Sequence, residues 1–210
     1  MWCIIGQSCY RKSMMNSNVC FAFARMQPPT IGHELLIQRL VTLAKENASQ
    51  PVVFLSRKED TKENPVPFVV RHQILTVAYQ DVLFPDLPAV RSPIDAFRWL
   101  AGEAVERVWW LCGGDRVEKY QPTAERNRTR FNTVEVVSVG SREGDGAVVA
   151  SGTRQREFAK HGEYEAFLEN CPNAFTPEQN FRLYTIIKDF YRGDCYAPSR
   201  YSKVSAAMGA

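Results

Sequence analysis

Apolar residues along the chain follow two alternating rhythms. Short, nearly unbroken apolar blocks at Val19–Ala24, Val52–Leu55, Val105–Cys112 and Thr133–Val139 have the character of strands covered on both faces. Between them the apolar positions recur at helical spacing. Leu36, Ile37, Leu40, Leu43 and Ala44 form a stripe in a helix running on from Glu34, while Gln38, Arg39 and Lys45 take its polar face. Phe68 to Val82 predicts a second helix with Ile74, Leu75, Ala78 and Tyr79 inward, ended by Pro85 and Pro88. A further short strand is expected over Ala89–Arg91. Ser92-Pro93-Ile94-Asp95 then supplies a cap, a first-turn proline and an early acid for the next helix. Later helices are predicted from Ser151 to a stop at His161-Gly162, over Tyr164–Leu168, and from Thr176-Pro177-Glu178-Gln179 through Tyr191 to Gly193. Strands alternating with helices imply an α/β domain built on an open, doubly wound parallel sheet.

The polar turns between these elements hold the candidate chemistry. The first strand runs through Gln27 and Pro28-Pro29 into Thr30-Ile31-Gly32-His33, at the start of a helix where free N–H groups and a partial positive charge favour an anion. Gly32 allows close approach, and the His33 ring and Thr30 hydroxyl can each donate to a phosphoryl oxygen. At the end of the second strand, Arg57 and Lys58, with Lys62 and Asn64-Pro65 beyond, are placed to line a pocket, since ligands of such sheets lie past the strands' carboxyl ends. Arg71 and Arg91 join Arg57 and Lys58 as candidates for gripping a second substrate. Gly113-Gly114-Asp115-Arg116 turns the third long strand into a helix, with Asp115 and Glu118 in the form of a capping box. Ser151-Gly152-Thr153-Arg154-Gln155-Arg156 makes a second anion site, with Arg156 one turn beyond Thr153. His72, His161 and the Phe181, Tyr184, Tyr191 stripe read as structural.

RMQPPTIGH after an apolar strand resembles the signature of the nucleotidylyltransferase superfamily: His or Thr, any residue, Gly, His. More closely it resembles the nucleotidyltransferase-like proteins of tailed bacteriophages, which carry Gly-Arg, an apolar residue, Asn-Pro-Pro-Thr, any residue, Gly-His. Here Ala24 stands for the opening glycine and Gln27 for the asparagine, the latter matching the Arg-Phe-Gln-Pro version of some nicotinamide mononucleotide adenylyltransferases. SRKEDTKENP resembles the phage Ser- and Lys-rich stretch, and Gly113-Gly114-Asp115-Arg116 their Gly-Ser-Asp-Arg. The segment at 151–156 resembles the superfamily's second signature, Ser-x-Thr-x-x-Arg, about 120 residues after the first. The resemblance, which spans roughly Val19 to Asn173, implies a Rossmann-like fold, taken here as 18–174; the first element beginning near Asn18 leaves 1–17 as an N-terminal arm, and 175–210 reads as a short helical C-terminal extension. It also implies nucleotide contacts at Ala24, Arg25, Gly32, Gly113, Gly114, Asp115, Ser151 and Thr153, and catalysis by His33, Thr30 and Arg156.

Bulk properties narrow this little. The 210 residues, 45% of them hydrophobic, suffice for one sizeable core. A net charge of +3 suits anionic metabolites and is too mild to indicate a nucleic-acid protein. Cys3, Cys9, Cys20, Cys112, Cys171 and Cys195 show no metal-ligand spacing, and no apolar run approaches a membrane span, so a cytoplasmic setting is expected (the host's, if phage-encoded). Met14 or Met15 is an alternative start to Met1. The 141–146 stretch reads as a loop able to cover the site, and the tail from Asp194 as weakly ordered.

The implied reaction transfers AMP from ATP to the phosphate of a small acceptor and releases pyrophosphate, with magnesium held mainly by substrate phosphates. CTP with a sugar or polyol phosphate stays open, as do a homo-oligomer and a nucleotide-binding protein without turnover. A class I aminoacyl-tRNA synthetase fragment is disfavoured because no Lys-Met-Ser-Lys-Ser element is present.

Overall fold

The computed structural model describes residues 15–140 and 151–193. Four strands, β1 (Asn18–Ala24), β2 (Gln50–Leu55), β3 (Arg107–Cys112) and β4 (Thr133–Ser138), form one sheet in the order β2-β1-β3-β4, all parallel. Seven helices are described: α1 (Ile31–Glu46), α2 (Phe68–Ala78), α3 (Pro93–Gly102), α4 (Val117–Asn127), α5 (Gly152–His161), α6 (Tyr164–Leu168) and α7 (Pro177–Arg192).

Alternating strand residues serve two cores. Cys20, Ala22, Val53, Leu55, Trp109 and Leu111 face α1, α2, α5, α6 and α7. Val19, Phe21, Val52, Phe54, Val108 and Trp110 face α3 and α4. The fold is therefore the expected Rossmann-like α/β architecture, with a parallel sheet buried on both sides. Phe21 stacks on Trp110 with centroids 5.7 Å apart, and Trp110 on Tyr120 at 4.3 Å. The predicted α1 stripe is buried at Ile37, Leu40, Leu43 and Ala44. Helix α7 places Leu183, Tyr184, Ile186 and Ile187 in the same core as β1.

Two expectations about the middle of the chain are corrected. The helix predicted to reach Val82 ends at Ala78, and Ala89–Arg91 is a turn rather than a strand. The physical reason is a competing partner for the backbone: Leu83 reaches the open edge of β2, donating to Pro51 O (3.0 Å) and accepting from Val53 N (2.9 Å). That pairing draws Val82 and Phe84 into the core. Val90 is buried from a turn closed by its N–H on Leu87 O.

The strand order fixes where a ligand can enter. β1 connects outward to β2 on one side and has β3 on the other, the reversal that opens a crevice at the carboxyl ends. β1 stays paired with β2 to Ala24↔Leu55, and β3 with β4 to Cys112↔Ser138. Pairing of β1 with β3 stops at Phe21↔Trp110. The sheet thus parts between the turn after β1 and the glycine turn after β3. The expected arm through Met14, the 141–146 loop and the tail from Asp194 lie outside the described residues.

Candidate functional site

The turn after β1 is held from below by two side chains. Gln27, 5% exposed, donates through Nε2 to Val66 O (2.7 Å) and Lys58 O (3.2 Å) and accepts from Val66 N (3.0 Å). Arg71 is fully buried and donates to Arg25 O (2.7 Å), Ser56 O (2.9 Å) and Val66 O (3.2 Å). Burial pushes its pKa down to about 10, so it is still charged at neutral pH. Together they tie the turn to the segment following β2.

Arg71 therefore corrects the expectation that it grips a substrate: its guanidinium is consumed by carbonyls. Arg57 is also engaged, pairing with Asp86 and lying 3.9 Å from the centroid of the Phe68 ring. Arg91 is exposed beside the α3 cap rather than at a strand end, its N–H on Asp95 (3.2 Å). Lys58 keeps an exposed side chain.

At the start of α1 the amides are more occupied than a bare phosphate cradle would require. Ile31 N–H donates to Asn170 O (2.9 Å), and His33 and Glu34 N–H donate to Thr30 O (2.8 and 3.1 Å). Thr30, 1% exposed, is the N-cap. The His33 Nδ1 accepts from Thr30 N–H (3.1 Å) and lies 2.8 Å from Thr30 Oγ1. An accepting Nδ1 places the proton of the neutral ring on Nε2, which makes Nε2 the ring's donor. Thr30 thus orients the imidazole from a buried position rather than offering its own hydroxyl at the surface. Gly32 is exposed, Ala24 is half-buried at the end of β1, and Arg25 directs an exposed side chain outward.

Sequence reasoning missed Glu34. It is 4% exposed, and its carboxylate accepts from Asn173 N (2.9 Å), Asn173 Nδ2 (3.0 Å) and Ala174 N (3.0 Å), clamping the first turn of α1 to the segment after α6. An acidic residue in a first helical turn looks like an ordinary dipole partner. Nothing local indicates that its donors lie 139 and 140 residues away.

The two motifs meet. Arg156 donates from Nη1 to Gln27 O (2.6 Å) and from Nη2 to Thr153 Oγ1 (3.0 Å). Gly152, the first residue of α5, lies so close that a Cβ there would stand 3.1 Å from Gln27 O. Ser151 takes the N-cap position, without a side-chain capping bond. Both helix starts thus abut one turn, and no carboxylate among the described residues pairs with Arg156.

No family model matches the chain, and none of the curated proteins does. Among solved structures 42 chains match. One is Thermotoga maritima TmcAL bound with alpha-thio ATP, at a TM-score of 0.50 and 10% identity, covering 84% of this chain. The chain spans 57% of the length of that one. At this identity the likeness is one of fold.

The glycine turn after β3 has a structural occupation. A Cβ on Gly114 would meet Gly140 O at 3.0 Å and Ser138 Oγ at 3.2 Å, and Gly114 N–H donates to Gly140 O (3.2 Å). Gly113 precedes a 3-10 turn, Gly114–Arg116, so Asp115 is not the cap of α4. That helix starts at Val117 after Arg116, and Asp115 lies exposed 3.8 Å from the Arg116 Nε. His72 is structural as expected, its Nε2 2.8 Å from Phe84 O, and His161 lies 3.5 Å from Glu157 at the α5 end closed by left-handed Gly162. Among the described residues no three His, Cys, Asp or Glu side chains gather as metal ligands, and no helix is long and apolar enough to cross a membrane.

Proposed function

We propose that the chain is a nucleotidylyltransferase that transfers AMP from ATP to the phosphate of a small acceptor and releases pyrophosphate. The observation that carries this reading is the contact of the two motifs through Arg156, Gln27 and Gly152, because a triphosphate spanning two helix starts needs both at one place. One structural neighbour, TmcAL, is bound with alpha-thio ATP, which supports a nucleotide as the ligand.

In the reaction an oxygen of the acceptor phosphate attacks the α-phosphorus. The bond from that phosphorus to the β-bridging oxygen breaks, and pyrophosphate leaves with the electron pair. The attacking oxygen is already ionised, so no strong base is required and positioning and charge stabilisation supply the catalysis. His33, aligned by Thr30, donates from Nε2 to a phosphoryl oxygen at the reacting centre. Arg156 and the start of α5, including Ser151 and Thr153, hold the departing pyrophosphate, and Gly113 and Asp115 flank the base or ribose across the crevice. Magnesium, for which the described residues offer no cluster of ligands, would be held by the substrate phosphates and neutralise their charge.

Titration calorimetry tests the donor site. Arg156→Ala should weaken magnesium–ATP binding by about 10- to 100-fold, the loss of a charge-assisted contact, with thermal unfolding showing a folded protein. An unchanged affinity removes Arg156 from the site.

A further inference from the structure

The loop after β2 is tied firmly at both ends and barely between them. At its start Lys58 O accepts from Gln27 Nε2 (3.2 Å) and Arg71 Nη2 (3.5 Å), and the Glu59 carboxylate accepts from Phe68 N (2.6 Å). At its end Val66 is bonded through both N–H and C=O to the Gln27 side chain, and Asn64 and Pro65 are buried. Residues 60–63, the tip between these ties, are exposed.

The tip closes on itself. Asp60 turns the chain through a left-handed φ of 60°, and Asn64 then donates from N to Thr61 O and from Nδ2 to Thr61 Oγ1, both at 2.8 Å. Among the described residues the tip makes one hydrogen bond to the rest of the protein, accepted by Lys62 O from the Tyr191 hydroxyl at the end of α7 (2.5 Å), and no ion pair. The space behind it is not filled. A cavity of about 390 Å³ lies between Lys62 and Glu63 of the tip, Arg156, Glu157 and Lys160 of α5, and Tyr191. Arg156 reaches from this cavity to the Gln27 carbonyl, so the void adjoins the contact of the two motifs.

We infer that residues 60–63 are a lid, hinged at the two tied ends of the loop and latched by Tyr191, which closes toward α5 over the Arg156 side of the crevice. A self-contained turn with fixed ends, a void behind it and one tether moves as a unit at little cost, because few bonds and few apolar contacts resist it. Closure breaks the Tyr191 bond and moves the tip into the cavity, which shields the crevice from water while substrate is bound. That use of the lid rests on the nucleotidyl-transfer reading, but the latch does not.

The test places a nitroxide at Glu63→Cys in a Cys3→Ser/Cys9→Ser/Cys195→Ser background, where Cys20, Cys112 and Cys171 are buried. Electron paramagnetic resonance then reads the label's mobility with Tyr191 intact and in Tyr191→Phe. Losing one neutral hydrogen bond should raise the ratio of mobile to restricted label about 2- to 10-fold, at the same melting temperature. Magnesium–ATP, with its binding followed by calorimetry, should return the Tyr191→Phe label to the restricted state. Equal mobility in the two proteins, or a lower melting temperature in Tyr191→Phe, overturns the latch whatever ATP does. ATP that binds and leaves the label mobile overturns closure over the nucleotide crevice. A mobile label in Tyr191→Phe together with no ATP binding supports the latch and removes the nucleotidyl-transfer reading.

Discussion

Replacing Arg71 by Met separates a structural strap from a substrate contact. Met keeps much of the aliphatic stem and removes donors to Arg25 O, Ser56 O and Val66 O, all from 2.7 to 3.2 Å. Hydrogen bonds from a charged donor contribute about 1.5–3 kcal/mol each. Three would total well above 4 kcal/mol, but the guanidinium's own desolvation opposes that gain, so a net loss of roughly 3–5 kcal/mol is expected, as for breaking a buried charged network. For a chain of this length each kcal/mol moves the melting temperature by about 2–4 °C, giving a fall of roughly 10 °C. Arg71→Lys, with a point charge that cannot fork to three carbonyls, should recover only part. The assay is thermal unfolding followed by circular dichroism, with urea denaturation for the free energy. An Arg71→Met protein that melts with the wild type, while changing only the KM for an acceptor, would refute the strap and restore Arg71 to the substrate.

Gly152→Ala forces a Cβ to within 3.1 Å of the Gln27 carbonyl. Because Arg156 and the buried Gln27 side chain hold that carbonyl, it should cost about 1–3 kcal/mol and weaken nucleotide binding, as read by melting temperature and titration; full stability with full affinity would show that the motifs are not in contact. The thiols make a different prediction. Burial pushes Cys20 and Cys112 up to about 11 and Cys171 to about 12, from 9.0. In a variant with Cys3→Ser, Cys9→Ser and Cys195→Ser, no remaining thiol should react rapidly with an aromatic disulfide at pH 8 until urea unfolds the protein. The unfolded chain releases these protons first, so the thiols' contribution is intact below pH 9 and declines as pH rises toward 11; rapid labelling of the folded protein would contradict the burial.

The sheet was legible because its signal is local. Val19–Ala24 and Val52–Leu55 are apolar on both faces, and the stripe from Ile37 to Ala44 matches one helix surface. Caps were legible for the same reason: Ser92 accepts from Asp95 N, and Thr176 from Gln179 N, as their spacing implies. What failed depended on distant partners. Tyr79–Val82 fell out of the expected helix because Leu83 pairs at the open edge of β2, and Ala89–Arg91 had no such edge to join. Arg71 and Glu34 look solvent-facing by residue type, yet their acceptors and donors arrive from turns far along the chain. Gly114 was read for ligand approach, whereas the approaching atom is the Gly140 carbonyl. The resemblance implies that both motifs serve one triphosphate, but not the bond of Arg156 to the Gln27 carbonyl, since no local pattern connects residues 129 apart.

The central claim is tested most directly by pyrophosphate release from the purified protein with magnesium, a deproteinised small-molecule extract, and ATP or CTP in parallel, with His33→Ala beside the wild type. The account predicts release with ATP that falls by ~100-fold or more in the variant, the scale set by losing one donor to developing charge. Release at an equal rate from His33→Ala, or none from the wild type with either nucleotide, would contradict it.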